Sequence, residues 1–183
     1  MPDSRSGPRA ASGRGVARRR VLRGTAVGAV VALAGCAGGG GGGDTLPGSD
    51  YPAVDEWLTE TAVGDSDDTY GGRVVDSRGQ DAIDVDVGSE GNGGFYAFGP
   101  SAVAVSPGTT VTWRWTGEGG AHNVEAEADE QIGESDFEFS SGEAVDSDEE
   151  TFEQTLDRAG VALYHCEPHL SVGMKGAVVV AEE

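Results

Sequence analysis

A chain of 183 residues, 37% of them hydrophobic, has room for one domain around one modest core. It carries 32 Asp+Glu against 12 Lys+Arg, a formal net charge of −20, and seven of those cations precede Cys36, where Asp3 is the one acid. From Cys36 onward five cations face 31 carboxylates. That excludes nucleic acid as a partner, because binding it needs a basic footprint.

So acidic a surface, with Lys175 as the single lysine, suits a protein of concentrated salt, where the Debye length falls to about 3 Å at 1 M and self-repulsion is screened. Disorder is the competing reading of high charge. The strand-like apolar runs of residues 71–183 argue against it there, whereas residues 37–70 read as a flexible Gly-rich and acidic linker.

Residues 1–36 read as an export signal, outside the fold. Arg18-Arg19-Arg20-Val21-Leu22-Arg23 has paired arginines followed by apolar residues, similar to a twin-arginine signal. The apolar run 26–34 is too short to span a bilayer core of ~30 Å as a helix. It ends in Leu33-Ala34-Gly35-Cys36, which resembles a lipobox with Cys36 as the lipidated residue. An ordinary signal with an incidental cysteine is the alternative. With Cys36 spent on lipid, Cys166 is the last thiol, so no intramolecular disulfide is expected in an oxidising compartment.

Within the linker, the glycines of 38–43 make a spacer. Trp57, Leu58 and Ala62 suggest a turn or two of helix, with Trp57 docking on the domain, and 65–69 is a solvated acidic link. From Gly71 the pattern changes to short β-type runs separated by Gly, Pro, Asp and Ser. Strands are expected at 72–76, 82–87, 95–98, 102–105, 109–115, 121–126, 151–156, 161–165 and 175–181. Ile83, Val85 and Val87 alternate with Asp84 and Asp86, the period of a half-buried strand. Residues 127–150 form an acidic connection with Phe137 and Phe139 as anchors. About eight strands without a long helix predict an all-β Greek-key sandwich over 71–183.

Near the C-terminus, Cys166-x2-His169-x4-Met174 gathers a thiol, an imidazole and a thioether within nine residues. Two His and one Cys in a plane with a weak axial Met form an electron-transfer copper site. The missing imidazole is assigned to His122, beside Gly119 and Gly120 at the start of the 121–126 run. A solvated loop histidine is its bland alternative, and core packing is that of Met174. Zinc also accepts Cys and His, but thioether is a poor zinc ligand. A Cys166–His169 nucleophile pair lacks an orienting third group. His165 abuts the cysteine; neighbours in a strand face opposite ways, so it is excluded as a ligand and read as an exposed side chain.

These residues, with Ala121-His122-Asn123-Val124, resemble the plastocyanin branch of the cupredoxins. The acidic, lipidated, twin-arginine form further resembles the halocyanins, blue copper proteins of halophilic archaea, over roughly residues 57–180. Gly91-Asn92-Gly93-Gly94 and Met174-Lys175-Gly176-Ala177 are part of that likeness. The resemblance implies a cupredoxin-like, eight-stranded sandwich holding one copper ion that cycles Cu(I)/Cu(II). It also implies Asn123 tying the His122 segment to the Cys166 loop, and Pro168 stiffening that loop. His165 departs from the pattern, since relatives often carry an aromatic residue there.

The function expected is a lipid-anchored, monomeric one-electron carrier on the outer face of the membrane, serving membrane-associated redox proteins and catalysing no reaction of its own. A copper storage or delivery protein is the alternative, although such proteins usually offer a Met- or His-rich exchangeable cluster. Copper oxidases and nitrite reductases need further histidines, and only His165 is left.

Overall fold

A computed structural model describes residues 44–126 and 135–182. The signal, the lipidation site Cys36, the glycine spacer and part of the acidic connection lie outside the described residues. Nine strands are seen among those described: β1 (Thr45–Pro47), β2 (Arg73–Asp76), β3 (Ala82–Gly91), β4 (Gly94–Gly99), β5 (Ala102–Val105), β6 (Thr109–Trp115), β7 (Thr151–Leu156), β8 (Gly160–His165) and β9 (Lys175–Val180). One sheet runs β1-β2-β5-β9-β8 and the other β4-β3-β6-β7. The pairs β2–β5, β5–β9 and β3–β6 are parallel, so the chain crosses between sheets, as expected of the cupredoxin sandwich.

The alternation in β3 buries Val85 and Val87 and exposes Asp84 and Asp86, and β6 adds Val111 and Trp113 to the same inner core. Phe137 and Phe139 anchor the acidic connection in that core. β5 and β9 behave differently, being buried on both faces. Val103, Val105, Val178 and Val180 face the inner core, while Ala102, Ala104, Ala177 and Val179 belong to a second cluster. A strand covered on both sides reads as a continuous apolar run.

What covers the outer side corrects the flexible-linker reading over residues 44–70, where the expected turn or two of helix and the docked Trp57 are found. Residues 45–47 pair with β2, and α1 (Pro52–Thr59) packs Val54, Trp57 and Leu58 against the sheet. Pro52 suits the first helical turn, and the 54, 57, 58 spacing puts three apolar side chains on one face. Each contributes about 2 kcal/mol when fully buried. A helix of eight residues is unstable alone and forms because it has this face to cover. Residues from Thr45 onward therefore belong to the folded unit, which was expected to start at 71.

A second correction concerns 121–126. The segment makes isolated bridges, His122 with Val145 and Glu125 with Ser140 and His165, and no continuous strand. Among the described residues no helix is long and apolar enough to cross a membrane.

Candidate metal centre

β8 ends at His165 and places Cys166 at the mouth of a tight loop. The loop closes on itself through Cys166 N to Met174 O (3.0 Å), His169 N to Cys166 O (3.1 Å) and Met174 N to His169 O (3.2 Å). Between these, residues Glu167–Val172 form a 3-10 helix with Pro168 in its first turn, where a missing N–H costs nothing. Gly173 reverses the chain at φ 95°, and a Cβ there would stand 2.4 Å from Ser66 O. Only glycine fits both demands.

His122 reaches the same place from a different part of the chain. Its backbone exchanges two hydrogen bonds with Val145 (3.0 and 2.9 Å), and its carbonyl accepts from Trp115 Nε1 (3.0 Å). Its Nε2 lies 2.9 Å from Glu118 O. A carbonyl only accepts, so Nε2 carries the proton and Nδ1 presents its lone pair. Gly119 makes room for the ring, since a Cβ there would stand 2.8 Å from Nε2.

The donor atoms converge. Cys166 Sγ lies 3.6 Å from His122 Nδ1 and 3.5 Å from His169 Nδ1, and the two Nδ1 atoms are 3.1 Å apart. His122, Cys166 and His169 thus form a group able to hold a metal ion. Cys166 and His122 are buried, and His169 is half-buried, with Tyr96 stacked on its ring at 4.6 Å and 26°. Met174 is fully buried in the inner core cluster that also contains Cys166. Its backbone, as above, is bonded to both Cys166 and His169.

Burial sets the protonation states. Desolvation lowers the pKa of both His122 and His169, the nearby His122 adding to the effect on His169. Both imidazoles are therefore neutral near pH 7, the form that ligates. Burial pushes the Cys166 thiol up to about 11, so a proton must leave before sulfur can bind a metal. Two neutral imidazoles and one displaceable thiol proton, converging away from solvent, fit copper in either common oxidation state.

Asn123 and Glu167 join the two halves of the site. Asn123 Nδ2 donates to Glu167 Oε2 (2.6 Å), and Glu167 N donates to Asn123 Oδ1 (2.9 Å). Asn123 Nδ2 also reaches Gly142 O at 3.1 Å.

His165 departs from its expected place. It is 3% exposed, on the opposite side from the donor group, with its ring 6.3 Å from that of Trp57. Trp57 of α1, expected to dock on the domain, packs edge-on against it. Lys175, expected on the surface, is buried as well. Tyr96, Glu118 and Glu167 had no sequence signal, because each acts through a contact with a distant or non-adjacent residue that the fold sets: a ring face, a backbone carbonyl, and a carboxylate with its own backbone N–H.

The family described as copper binding proteins, plastocyanin/azurin family, matches residues 83–181. A halocyanin of Natronomonas pharaonis is 48% identical over 167 residues, covering 90% of this chain and 98% of its own. A plastocyanin of Scenedesmus fuscus is 36% identical over 98 residues, covering 53% of this chain and 99% of its own. Among solved structures, a Cu(I) form of an amicyanin mutant is similar over 56% of this chain and 84% of that one, at 30% identity and a TM-score of 0.41.

Proposed function

This chain belongs to the plastocyanin/azurin family of copper-binding proteins, and on that premise we propose that it is a one-electron carrier with a single type 1 copper site. The convergence of His122 Nδ1, Cys166 Sγ and His169 Nδ1 carries this reading. In it these three residues, together with Met174, would hold the ion. Bound copper supplies the chemistry by alternating between Cu(I) and Cu(II).

The surrounding residues keep the donors from rearranging. Glu118 O fixes the His122 tautomer, the Asn123–Glu167 pair fixes one ligand segment against the other, and the Tyr96 ring lies flat on His169. Partners of this kind fix the orientation of metal ligands. A site that moves little between oxidation states exchanges electrons quickly. Storage or delivery calls for an open, exchangeable cluster, and burial of Cys166 and His122 disfavours it.

The carrier is proposed to be exported by the twin-arginine signal and anchored through lipid on Cys36. There it would pass electrons, as a monomer, between membrane-associated redox proteins. Diacyl-type lipidation supplies the two chains that stable anchoring requires.

Residues 37–183 loaded with Cu(II) are expected to turn intensely blue, and Cys166→Ser to abolish the colour. A colourless copper complex of the unsubstituted chain would remove the proposal.

A further inference from the structure

Lys175 is fully buried, the one cationic side chain among the described residues to be so. Its Nζ lies 3.0 Å from both the carbonyl and Oε1 of Glu60 and 4.7 Å from the centre of the Trp57 ring. Trp57 Nε1 in turn reaches Tyr164 O and Gly176 O, both at 3.2 Å. All these contacts come from α1 or from Glu60, the residue that caps it, and all fall on residues flanking the ligand loop. Lys175 follows Met174 directly and pairs across the sheet with His165, which precedes Cys166.

Burying an ammonium costs several kcal/mol before its partners offset it. A neutral side chain of similar length would cover α1 as well. The cation therefore needs a reason beyond packing, and its place at the root of both arms of the ligand loop offers one. We infer that Lys175 is a positioning residue that sets the reduction potential: its ammonium, locked between Glu60 and Trp57, holds a fixed positive charge behind the ligand loop and favours the reduced ion.

The sign follows from elementary electrostatics. Reduction adds one negative charge to the site, and a positive charge nearby lowers its energy. The Glu60 carboxylate opposes this, but its side chain is 22% exposed while that of Lys175 is 0% exposed. Water screens the carboxylate more, and the buried ammonium dominates. The many surface carboxylates act through solvent and salt, so a buried cation is the group whose field persists in a salty medium.

This inference rests on the copper reading, which the colour of the unsubstituted protein tests separately. The experiment is voltammetry of copper-loaded residues 37–183, which hold the whole described domain. Lys175→Met is expected to stay blue and to shift the potential negative, and Lys175→Arg to return it toward the original value. The Glu60→Gln/Lys175→Met double variant leaves no unpaired buried group and should shift in the same negative direction. An unshifted potential in Lys175→Met or the double variant overturns the inference. So does an equal shift in Lys175→Met and Lys175→Arg, which would mean shape rather than charge. Urea midpoints of the copper-free variants complete the test: shifts that merely track lost stability reduce Lys175 to an attachment point for α1.

Discussion

Asn123 and Glu167 hydrogen-bond each other in both directions, side chain to side chain at 2.6 Å and backbone N–H to side-chain oxygen at 2.9 Å. They are 44 residues apart, and each sits next to a proposed ligand, His122 and Cys166. The pair is a bracket across the mouth of the site.

Asn123→Ala removes both bonds and leaves the Glu167 N–H without its acceptor. The expected cost is about 1–3 kcal/mol, read as a lower urea midpoint of the copper-free protein. Copper should also leave faster to a chelator, because the two ligand segments are no longer tied. An unchanged midpoint and unchanged loss rate would show the bracket to be idle.

Met174→Leu keeps the side chain apolar and close in volume, so the core should tolerate it. Losing a weak axial donor destabilises Cu(II) more than Cu(I). The blue colour should survive and the reduction potential should rise. A lowered potential would remove Met174 from the ligand set.

The Cys166 thiol, pushed up to about 11 from 9.0 by burial, makes copper uptake pH-dependent. At pH 10 a thiol at about 11 still holds about 0.9 of a proton and an ordinary one about 0.1. In the copper-free protein the Cys166 13Cβ resonance at pH 10 should thus still be mainly that of a thiol; a thiolate resonance there would contradict the burial. The same shift has a consequence for the metal-free domain. Its folded pKa lies above the unfolded value, so the stability contribution is complete below pH 9 and is lost as pH rises through about 11.

Residues 71–183 expressed alone should be far less stable than 44–183. The shorter piece lacks Val54, Trp57 and Leu58, uncovers Ala177 and Val179, and strands the Lys175 ammonium without Glu60. Three buried side chains at about 2 kcal/mol each are comparable with the 5–15 kcal/mol total of a typical domain. Equal urea midpoints for the two pieces would contradict the packing of α1.

Much of this protein is local and was readable as such. The β-runs, the glycine turns and the Cys166-x2-His169-x4-Met174 spacing lie within a few residues, where chain geometry alone limits what can meet. His122 could be proposed, because three histidines leave few choices and one of them adjoins the cysteine with its side chain reversed, and the structure brings its Nδ1 to 3.6 Å from Cys166 Sγ. Strand period reports whether one face is buried. It says little where both faces are covered, as in β5 and β9, and little about an eight-residue helix in acidic surroundings.

The sequence by itself determined the all-β class and the spacing of Cys166, His169 and Met174 in one loop, because these depend on side-chain chemistry and short-range period. Only the tertiary structure decided that the residues around Trp57, from 45 to 70, belong to the domain, that His165 and Lys175 are buried, and that Glu167 and Tyr96 lie against Asn123 and His169. Those outcomes depend on which surfaces cover one another, and burial is a property of two distant segments together rather than of either one.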